Sequence, residues 1–519
     1  MYSRMKQTLS IILILMLIVV SASCTNSNAT TTTSTTKSGT TTATTAATTK
    51  ATETTKEEPL PELKILTAYS AIDMNTYPNY QDLVDLTGYT VKYDNLPAED
   101  PISKVNMVLA TGGGYDIIYV HAPSSNYFKY AKEGAIQDLT DLIDTYGQNF
   151  ITAMDGYKFI DPLRIDGKIY CMPQPNPGAY LATGNFVRKD WLDALGKEIP
   201  ETTDDILEIL RAFKTENPGN ADPCIPYVQG NNLFPEMFAG AFGVATEYVV
   251  ENGKLISRFK SESMIDYLTY MNTLFTEKLM DNEFPINTSE VINNKIFSGK
   301  AGLFGYSVWG ISALVNAFKE NLPEAEYALI GFPKGPDGKQ GVAVAQGYYG
   351  FNVVPKASPN AEHVVKYANA LYQEDNFVKI YDGYEGKHWK YDDSGNMTPI
   401  QPAFGDERSI ASYILGIGET WQLKYWTIRL QKDPNLYEWF YNMQEYSDLR
   451  VFNAPDLAPG FDSVLSSKDE LKELATEYIT KFISGSLPLS AYQSFVDAYM
   501  AAGGEQAEKD LADWYAANK

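Results

Sequence analysis

Short apolar runs alternate with amphipathic helical segments early in this chain, and this alternation limits the architectures that it can form. The runs Leu63–Ala68, Tyr89–Tyr93 and Asp116–Val120 have the length of strands, and the last is apolar almost throughout. Helical patterns that end near Thr87 and Leu109 separate them; Gly88 stops the first, and Gly112–Gly114 break the second. A continuous apolar strand is typical of a sheet buried on both faces, and strands that alternate with helices indicate α/β architecture.

Three later segments carry the start signals of helices. Thr202 and Asp205 have the spacing of a capping box, as do Ser467 and Glu470. Ser358-Pro359 predicts a cap followed by proline at the first helical position. Each signal precedes an apolar face with helical periodicity, so we expect three helices that pack on a core.

The first 58 residues are of a different kind. A basic tip and an apolar run from Leu9 to Val20 precede small residues and Cys24, which predicts a signal peptide over residues 1–23. The run is shorter than the ~20 residues that a membrane-spanning helix needs. Residues 24–58 are rich in Thr and Ala and predict a flexible tether. This order resembles that of bacterial lipoproteins, which implies a lipid anchor on Cys24; the alternative is cleavage near Ala22 and a free secreted protein.

Charge and composition restrict the partners. The chain has 42 basic and 65 acidic residues, of which five and three lie in the first 58, so the remainder carries 37 and 62, a net charge near −25. Such a charge repels nucleic acid, and we expect no nucleic-acid partner. The 36 tyrosines suit sugar binding, because a flat ring with a hydroxyl offers a stacking face and a hydrogen bond.

Residues after position 58 lack the usual signatures of catalysis and cofactor binding. GxSxG, HExxH and a phosphate-binding GK[ST] loop do not occur, and neither does CxxC. We therefore expect no cofactor and no enzyme activity, with a secreted polysaccharide-degrading enzyme as the leading alternative. Cys171 and Cys224 are the thiols of this part, and they could pair outside the cell or remain free.

Several sequence blocks follow one another in a recognisable order. The most specific is VRKDWLDALG at 187–196, which follows GKIYCMP at 167–173. The others are KVNMVLATGGGYDIIYV at 104–120, GAIQDLTDLID at 134–144, IFSGKAGLFGYSVW at 296–309, GFP at 331–333, GYYGFNVVP at 347–355, GYEGKHW at 383–389 and KFISG at 481–485. Together they resemble the extracellular solute-binding proteins (family 1) of ABC sugar importers, in particular the lipoprotein branch of Gram-positive bacteria.

The resemblance implies a periplasmic-binding-protein-like fold: two α/β lobes joined by a hinge, with the ligand cleft between them. The first lobe is expected to comprise residues 59–177 and 347–405, and the second residues 178–346 and 406–519. We expect the chain to cross between the lobes near 175–185 and to return near 344–350. Interdomain clefts are favoured ligand sites, and closure around the ligand is a hinge motion.

The function implied by the resemblance is capture of a carbohydrate, most readily an oligosaccharide, for delivery to the permease subunits of an ABC transporter. The protein is expected to be a monomer, anchored by lipid at the outer face of the cell membrane. A peptide ligand remains open, as does a sugar-sensing surface protein that partners a receptor kinase. Some relatives carry a calcium loop at the position of Asn217–Pro226, but here Asp222 is the only carboxylate, so we expect no metal site.

Nine residues are candidates for ligand contacts in the resembling fold. Trp309 ends the GLFGYSVW block, where an indole could cover the apolar face of a sugar, whereas Trp191 is expected in the core. Adjacent side chains of an extended segment point to opposite sides, so only one of the two tyrosines in the return crossing can face the cleft. The candidates are Tyr69, Ser70, Tyr119, His121, Trp309, Tyr348, Tyr349, Glu385 and Trp389, the last expected to be exposed.

Overall fold

A computed structural model describes residues 59–122, 124–178, 180–344, 347–410 and 413–518. The predicted signal peptide, Cys24 and the tether lie outside the described residues. Of the helices in the described ranges, none is both long enough and apolar enough to cross a membrane.

The strands of the described residues are β1 (Leu63–Thr67), β2 (Val91–Asn95), β3 (Ile117–His121), β4 (Cys171–Asn176), β5 (Thr183–Arg188), β6 (Ile225–Val228), β7 (Tyr248–Glu251), β8 (Lys254–Ser257), β9 (Ala301–Ser307), β10 (Tyr327–Leu329), β11 (Val342–Val344), β12 (Gly347–Val353), β13 (Trp389–Tyr391), β14 (Met397–Pro399) and β15 (Arg450–Phe452). The α-helices are α1 (Tyr80–Thr87), α2 (Pro101–Thr111), α3 (Ser124–Lys132), α4 (Thr140–Tyr146), α5 (Gln148–Ala153), α6 (Lys189–Leu195), α7 (Thr203–Glu216), α8 (Glu236–Ala239), α9 (Ser263–Thr276), α10 (Ser289–Phe297), α11 (Ile311–Asn321), α12 (Ala361–Leu371), α13 (Glu374–Tyr381), α14 (Ala403–Arg408), α15 (Glu419–Trp421), α16 (Thr427–Leu430), α17 (Pro434–Gln444), α18 (Asp462–Ser484), α19 (Tyr492–Tyr499) and α20 (Glu505–Asn518).

The first lobe is built on a five-stranded sheet in the order β2-β1-β3-β12-β4. β1 pairs in parallel with β2 and β3, whereas β12 runs antiparallel to β3 and β4. Leu63 and Ile65 of β1 enter the core on one face of this sheet, and Leu66 enters the core on the other. Both faces are therefore buried by helices, which confirms the predicted α/β architecture.

The second lobe contains a four-stranded sheet in the order β10-β5-β9-β6. β5 runs antiparallel to β9 and β10, and β6 runs parallel to β9. The register pairs Thr183 at the start of β5 with Ser307 at the end of β9. The carboxyl ends of β6 and β9 therefore meet the amino end of β5 at one edge of the sheet, and the chain enters the lobe there.

A helical segment from α15 to α16 is shared by the two lobes. Trp421 and Tyr425 lie in a core of the first lobe, whereas Leu430 packs with residues of the second. A π-helical turn over Gln422–Trp426 interrupts the segment, and Trp426 contacts a different set of residues from its neighbour Tyr425. The segment lies after residue 406, in the part predicted for the second lobe, and it contributes to cores on both sides; the boundary at 406 stays a prediction.

The helix starts agree with the sequence at one position and differ at two. Thr202 and Asp205 form the predicted capping box of α7. Ser358 does not cap α12, which begins only at Ala361: its hydroxyl donates to Asp116 at 2.6 Å and accepts from the main-chain N–H of Asn360 at 3.1 Å, which closes a turn just before the helix. Ser467 lies inside α18, and its hydroxyl donates to a main-chain carbonyl one turn earlier at 2.7 Å. In both cases the serine hydroxyl bonds to the nearby main chain without capping a helix.

Candidate functional site

Four aromatic side chains from separate segments meet where the chain passes between the lobes. Tyr180 follows β4, Trp309 follows β9, Trp426 lies in the shared helix, and Phe440 lies in α17. The rings of Tyr180 and Trp426 are stacked, with centroids 5.2 Å apart and an interplanar angle of 14°. Trp309 lies 6.0 Å from Trp426 and 5.9 Å from Phe440. We call these four residues the crossing cluster.

Trp309 is the predicted ligand contact that lies on the second lobe. It follows β9 in a 3₁₀ turn, where the hydroxyl of Ser307 accepts a hydrogen bond from its main-chain N–H at 3.3 Å, and α11 begins at Ile311. This turn packs one side of the indole against Trp426 and Phe440 and leaves 52% of the residue exposed. An indole supported in this way offers a flat, fixed apolar surface to a ligand.

The first lobe contributes Tyr349, Tyr119 and His121. The main-chain carbonyl of Tyr349 accepts a hydrogen bond from Ala122 at 3.1 Å, and the rings of Tyr119 and His121 lie edge to face with centroids 4.8 Å apart. Gly350 leaves room for the ring of Tyr119, because a Cβ atom at position 350 would lie 2.4 Å from that ring. Tyr119 and His121 therefore form a group of two rings at the end of β3, and Tyr349 adjoins it through its main chain. Tyr119 itself is 7% exposed and belongs to a core of the first lobe.

Tyr349 links this group to the crossing cluster. The residue is 46% exposed, yet desolvation raises the pKa of its hydroxyl to about 12, and the nearby Tyr180 raises this pKa further. Such a combination is expected for a side chain that lines a concave surface. His121 is half-buried, its Nδ1 has no hydrogen-bond partner among the described residues, and burial lowers its pKa. The imidazole is therefore held neutral, with one nitrogen available.

Tyr348 points away from Tyr349, as the alternation of an extended segment requires. It is 5% exposed, its hydroxyl donates to the carbonyl of Phe159 at 3.0 Å, and its ring packs on Phe351. Of the two tyrosines, Tyr349 is thus the one that faces outward, and Tyr348 belongs to the core of the first lobe.

Trp389 is buried, contrary to the expectation that it is exposed. Its indole N–H donates to the carbonyl of Gly383 at 3.0 Å, and its ring packs with Phe404 and Ile428. The reason is that the block GYEGKHW folds back on itself as a compact turn before β13. Glu385 is exposed on this turn, and no contact joins it to the crossing cluster in the described residues.

Tyr69 and Ser70 follow β1, at the same edge of the sheet as the end of β3. Tyr69 is 58% exposed, and Ser70 is held by hydrogen bonds from Ile72 and Asn95. They share an edge with His121, but no contact joins them to the crossing cluster among the described residues. Trp191 is 1% exposed and packs edge to face on Phe213, so the prediction that it belongs to the core is confirmed.

Sequence reasoning missed three members of the crossing cluster: Tyr180, Trp426 and Phe440. Two signals were present. Tyr180 lies within the predicted crossing 175–185, and aromatic residues are dense between Trp421 and Tyr446. Neither signal reveals which of those rings face the ligand side, because this depends on the π turn and on packing between segments distant in sequence.

The second lobe adds a polar group at the edge where β6 and β9 end. The hydroxyl of Thr183 lies close to the carboxylate of Glu236, and the Tyr227 hydroxyl donates to Gln229 Oε1 at 2.9 Å. Gln229 is 7% exposed, and its Nε2 has no partner among the described residues. Desolvation raises the pKa of Glu236 to about 7. These side chains could exchange hydrogen bonds with a hydroxylated ligand.

The two cysteines of the described part are free, with Cys171 in the first sheet and Cys224 just before β6 in the second lobe. The described residues contain no group of three or more His, Cys, Asp or Glu side chains arranged to hold a metal ion. In the segment Asn217–Pro226, the side chain of Asn217 closes the turn through hydrogen bonds with Ala221 at 3.0 Å.

The family model for bacterial extracellular solute-binding proteins matches residues 73–376. Because the match spans more than half of the chain, the protein belongs to this family, which confirms the resemblance drawn from the sequence blocks. Members of this class take up a solute outside the cell for an ABC transporter.

Two curated relatives and one solved structure are similar to this chain over most of its length. Lipoprotein LipO of Bacillus subtilis is 25% identical over 460 residues, which cover 85% of this chain and 89% of LipO. The polygalacturonan/rhamnogalacturonan-binding protein YtcQ of the same organism is 24% identical over 466 residues, covering 86% and 90%. The Streptococcus pneumoniae substrate-binding protein FusA in complex with kestose shares the fold, with a TM-score of 0.68, 21% identity, and coverage of 88% of this chain and 100% of FusA.

Proposed function

We propose that this protein captures an oligosaccharide at the cell surface and delivers it to the permease subunits of an ABC transporter. The observation that carries the proposal is the crossing cluster, a set of packed aromatic rings, one of them half exposed, at the junction of two α/β lobes. A pyranose or furanose ring has an apolar face of C–H groups that an indole can cover. The names of the relatives support a carbohydrate, since YtcQ and FusA are both named for saccharide ligands.

In this proposal the ligand lies between Trp309 on one side and Tyr349 with His121 on the other. Tyr180 and Trp426 form the floor, because they belong to the segments that connect the lobes. A ligand that touches both lobes binds the closed form more tightly than the open one, and only such a difference can shift the equilibrium toward closure. The permease could then distinguish loaded from empty protein by its shape.

The proposal includes the attachment and the chemistry of the protein. A lipid on Cys24 holds it at the outer face of the membrane, and residues 24–58 act as the tether; LipO, a named lipoprotein, supports this assignment. The protein acts as a monomer and returns its ligand unchanged, since none of the sequence signatures of catalysis occurs after residue 58.

A thermal-shift screen tests the proposal. Residues 24–519, with Cys24→Ser to prevent lipidation, are mixed with a panel of oligosaccharides and of peptides of similar size. A ligand that binds only the native state must raise the melting temperature. We expect a saccharide series to do so and to be recovered intact by mass spectrometry. Cleavage of the sugar would indicate an enzyme, and a shift with peptides alone would overturn the carbohydrate assignment.

A further inference from the structure

The polar group of the second lobe bears on the class of saccharide, and this inference rests on the proposed function. We infer that the ligand is an uncharged oligosaccharide, and that Glu236 helps to select it over saccharides that contain uronic acids. The two named relatives make the distinction concrete, because polygalacturonan is a polyanion and a fructooligosaccharide is neutral.

Glu236 lies beside the segments that connect the lobes. It is the first residue of α8. Gly240, directly after this helix, packs closely on Gly341 just before β11, because a Cβ atom on Gly240 would lie 1.7 Å from the carbonyl oxygen of Gly341. The carboxylate of Glu236 lies close to the hydroxyl of Thr183, which is paired with Ser307 two residues before Trp309. Thr183 therefore connects the surroundings of the carboxylate to the turn that carries the exposed indole.

The carboxylate of Glu236 has no cation to neutralise it. None of the ion pairs among the described residues includes Glu236, although it is partly buried and lies close to Tyr227. Burial of an ionised group without a partner is unfavourable, and such groups are concentrated at functional sites. Burial raises the pKa of Glu236 to about 7, so the group is largely ionised at about pH 8; in that form it can accept hydrogen bonds from sugar hydroxyls, and it would repel a second carboxylate on the ligand.

Gln229 supplies a complementary donor close by. Its Oε1 is occupied by the Tyr227 hydroxyl, and its main-chain carbonyl accepts a hydrogen bond from Asn287 at 2.9 Å. Asn287 in turn is held by Asp281 and Lys295, at 2.8 Å and 3.0 Å. The side chain is thus fixed from behind while its Nε2 lacks a partner among the described residues. A fixed acceptor and a fixed donor together suit a neutral hydroxyl group, which is both.

Arg450 lies close to Tyr180 of the crossing cluster and is already engaged, since it donates to the carbonyls of Ser447 at 2.7 Å and Gly178 at 3.0 Å. Glu419, which is also close to Tyr180, is paired with Lys158 at 2.8 Å. Recognition of a carboxylate normally uses a free guanidinium or ammonium group, so a uronate would have to compete with these contacts.

Isothermal titration of residues 24–519 carrying Cys24→Ser tests the inference. The probes are neutral oligosaccharides of three to six units, from the fructan, glucan, xylan and galactan series, and galacturonan and mannuronan oligosaccharides of the same lengths. We expect a neutral series to bind at least about tenfold more tightly than every uronate. Equal or tighter uronate binding would overturn the inference and leave carbohydrate capture intact. Failure of both sets to bind would overturn the two proposals together.

A second measurement tests the role of Glu236 itself. Glu236→Gln removes the charge and keeps the shape, so the preference for the best neutral probe over its uronate counterpart should fall by about tenfold or more. Glu324→Gln, at an exposed position before β10, is the matched control and should leave the ratio unchanged. Circular dichroism and a melting curve verify that both variants fold. An unaltered ratio in folded Glu236→Gln would remove this carboxylate from the selection.

Discussion

Replacement of the exposed indole by a methyl group is the most informative perturbation of the proposed cleft. A tryptophan side chain presents about 150–250 Å², so the 52% that Trp309 exposes leaves about 100 Å² for a ligand to cover. At about 25 cal/mol per Å² this area is worth up to about 2.5 kcal/mol, and a single sugar face covers only part of it. We therefore expect Trp309→Ala to weaken binding by about 1–2.5 kcal/mol, or about 5- to 70-fold.

The assay is isothermal titration with the saccharide found in the thermal-shift screen, accompanied by a urea denaturation curve. Trp309→Ala should lower the free energy of unfolding by up to about 2.5 kcal/mol, because the other half of the indole is buried against Trp426 and Phe440. Trp191→Ala is the matched control: it removes a tryptophan that is 1% exposed, and it should cost about 3–5 kcal/mol of stability. Unchanged affinity in folded Trp309→Ala would refute the assignment of this indole to the ligand site.

Three further predictions concern single groups. Tyr349→Phe should weaken ligand binding at unchanged stability, whereas Tyr348→Phe should lose about 1 kcal/mol of stability and leave the affinity intact; the opposite pattern in titration and urea curves would contradict the assigned orientations. Glu236 has a folded pKa of about 7, above its unfolded value near 4.5, so ionisation should progressively destabilise the native state as pH rises from about 4.5 to 7, by up to about 3 kcal/mol. Urea curves at pH 5 and pH 8 measure this loss of unfolding free energy. The difference between the two pH values should be smaller in Glu236→Gln than in the unmutated protein, and an equal difference would contradict the prediction. Arg429 lies 3.8 Å from the fully buried Asp382 and donates to the carbonyls of Tyr381 and Arg408 at 2.7 Å, so Arg429→Met should destabilise the protein by about 3–5 kcal/mol. Adding Asp382→Asn should restore part of this loss, because it removes the unpaired carboxyl group but not the two orphaned carbonyls; no recovery would argue against the pairing.

The α/β fold could be predicted from the sequence because its signals are local and repeated. The continuous apolar sequence of β3 is by itself typical of a buried strand, and the capping box of Thr202 and Asp205 forms without a distant partner. The caps expected at Ser358 and Ser467 failed for the converse reason. The Ser358 hydroxyl donates to Asp116, 242 positions away in the sequence, and accepts from the N–H of Asn360, so it closes a turn before α12; local spacing contains no information about such a distant partner.

The candidate ligand site was predictable only in part, since the orientation of its side chains depends on tertiary packing. Alternation showed that Tyr348 and Tyr349 must face opposite ways, but the choice between them is set by the pairing of β12 with β3 and β4. The contribution of Trp426 depends on a π turn, which widens the helix locally and separates its contacts from those of Tyr425. No pattern in the sequence specified that turn.

The central claim is that this protein binds a saccharide between its lobes and releases it unchanged. The most direct test is a titration of residues 24–519 with the saccharide panel, followed by mass spectrometry of the recovered ligand. Our account predicts saturable binding of one saccharide series, a single site per chain and a ligand of unaltered mass. Absence of binding across the panel, or recovery of shortened products, would contradict it.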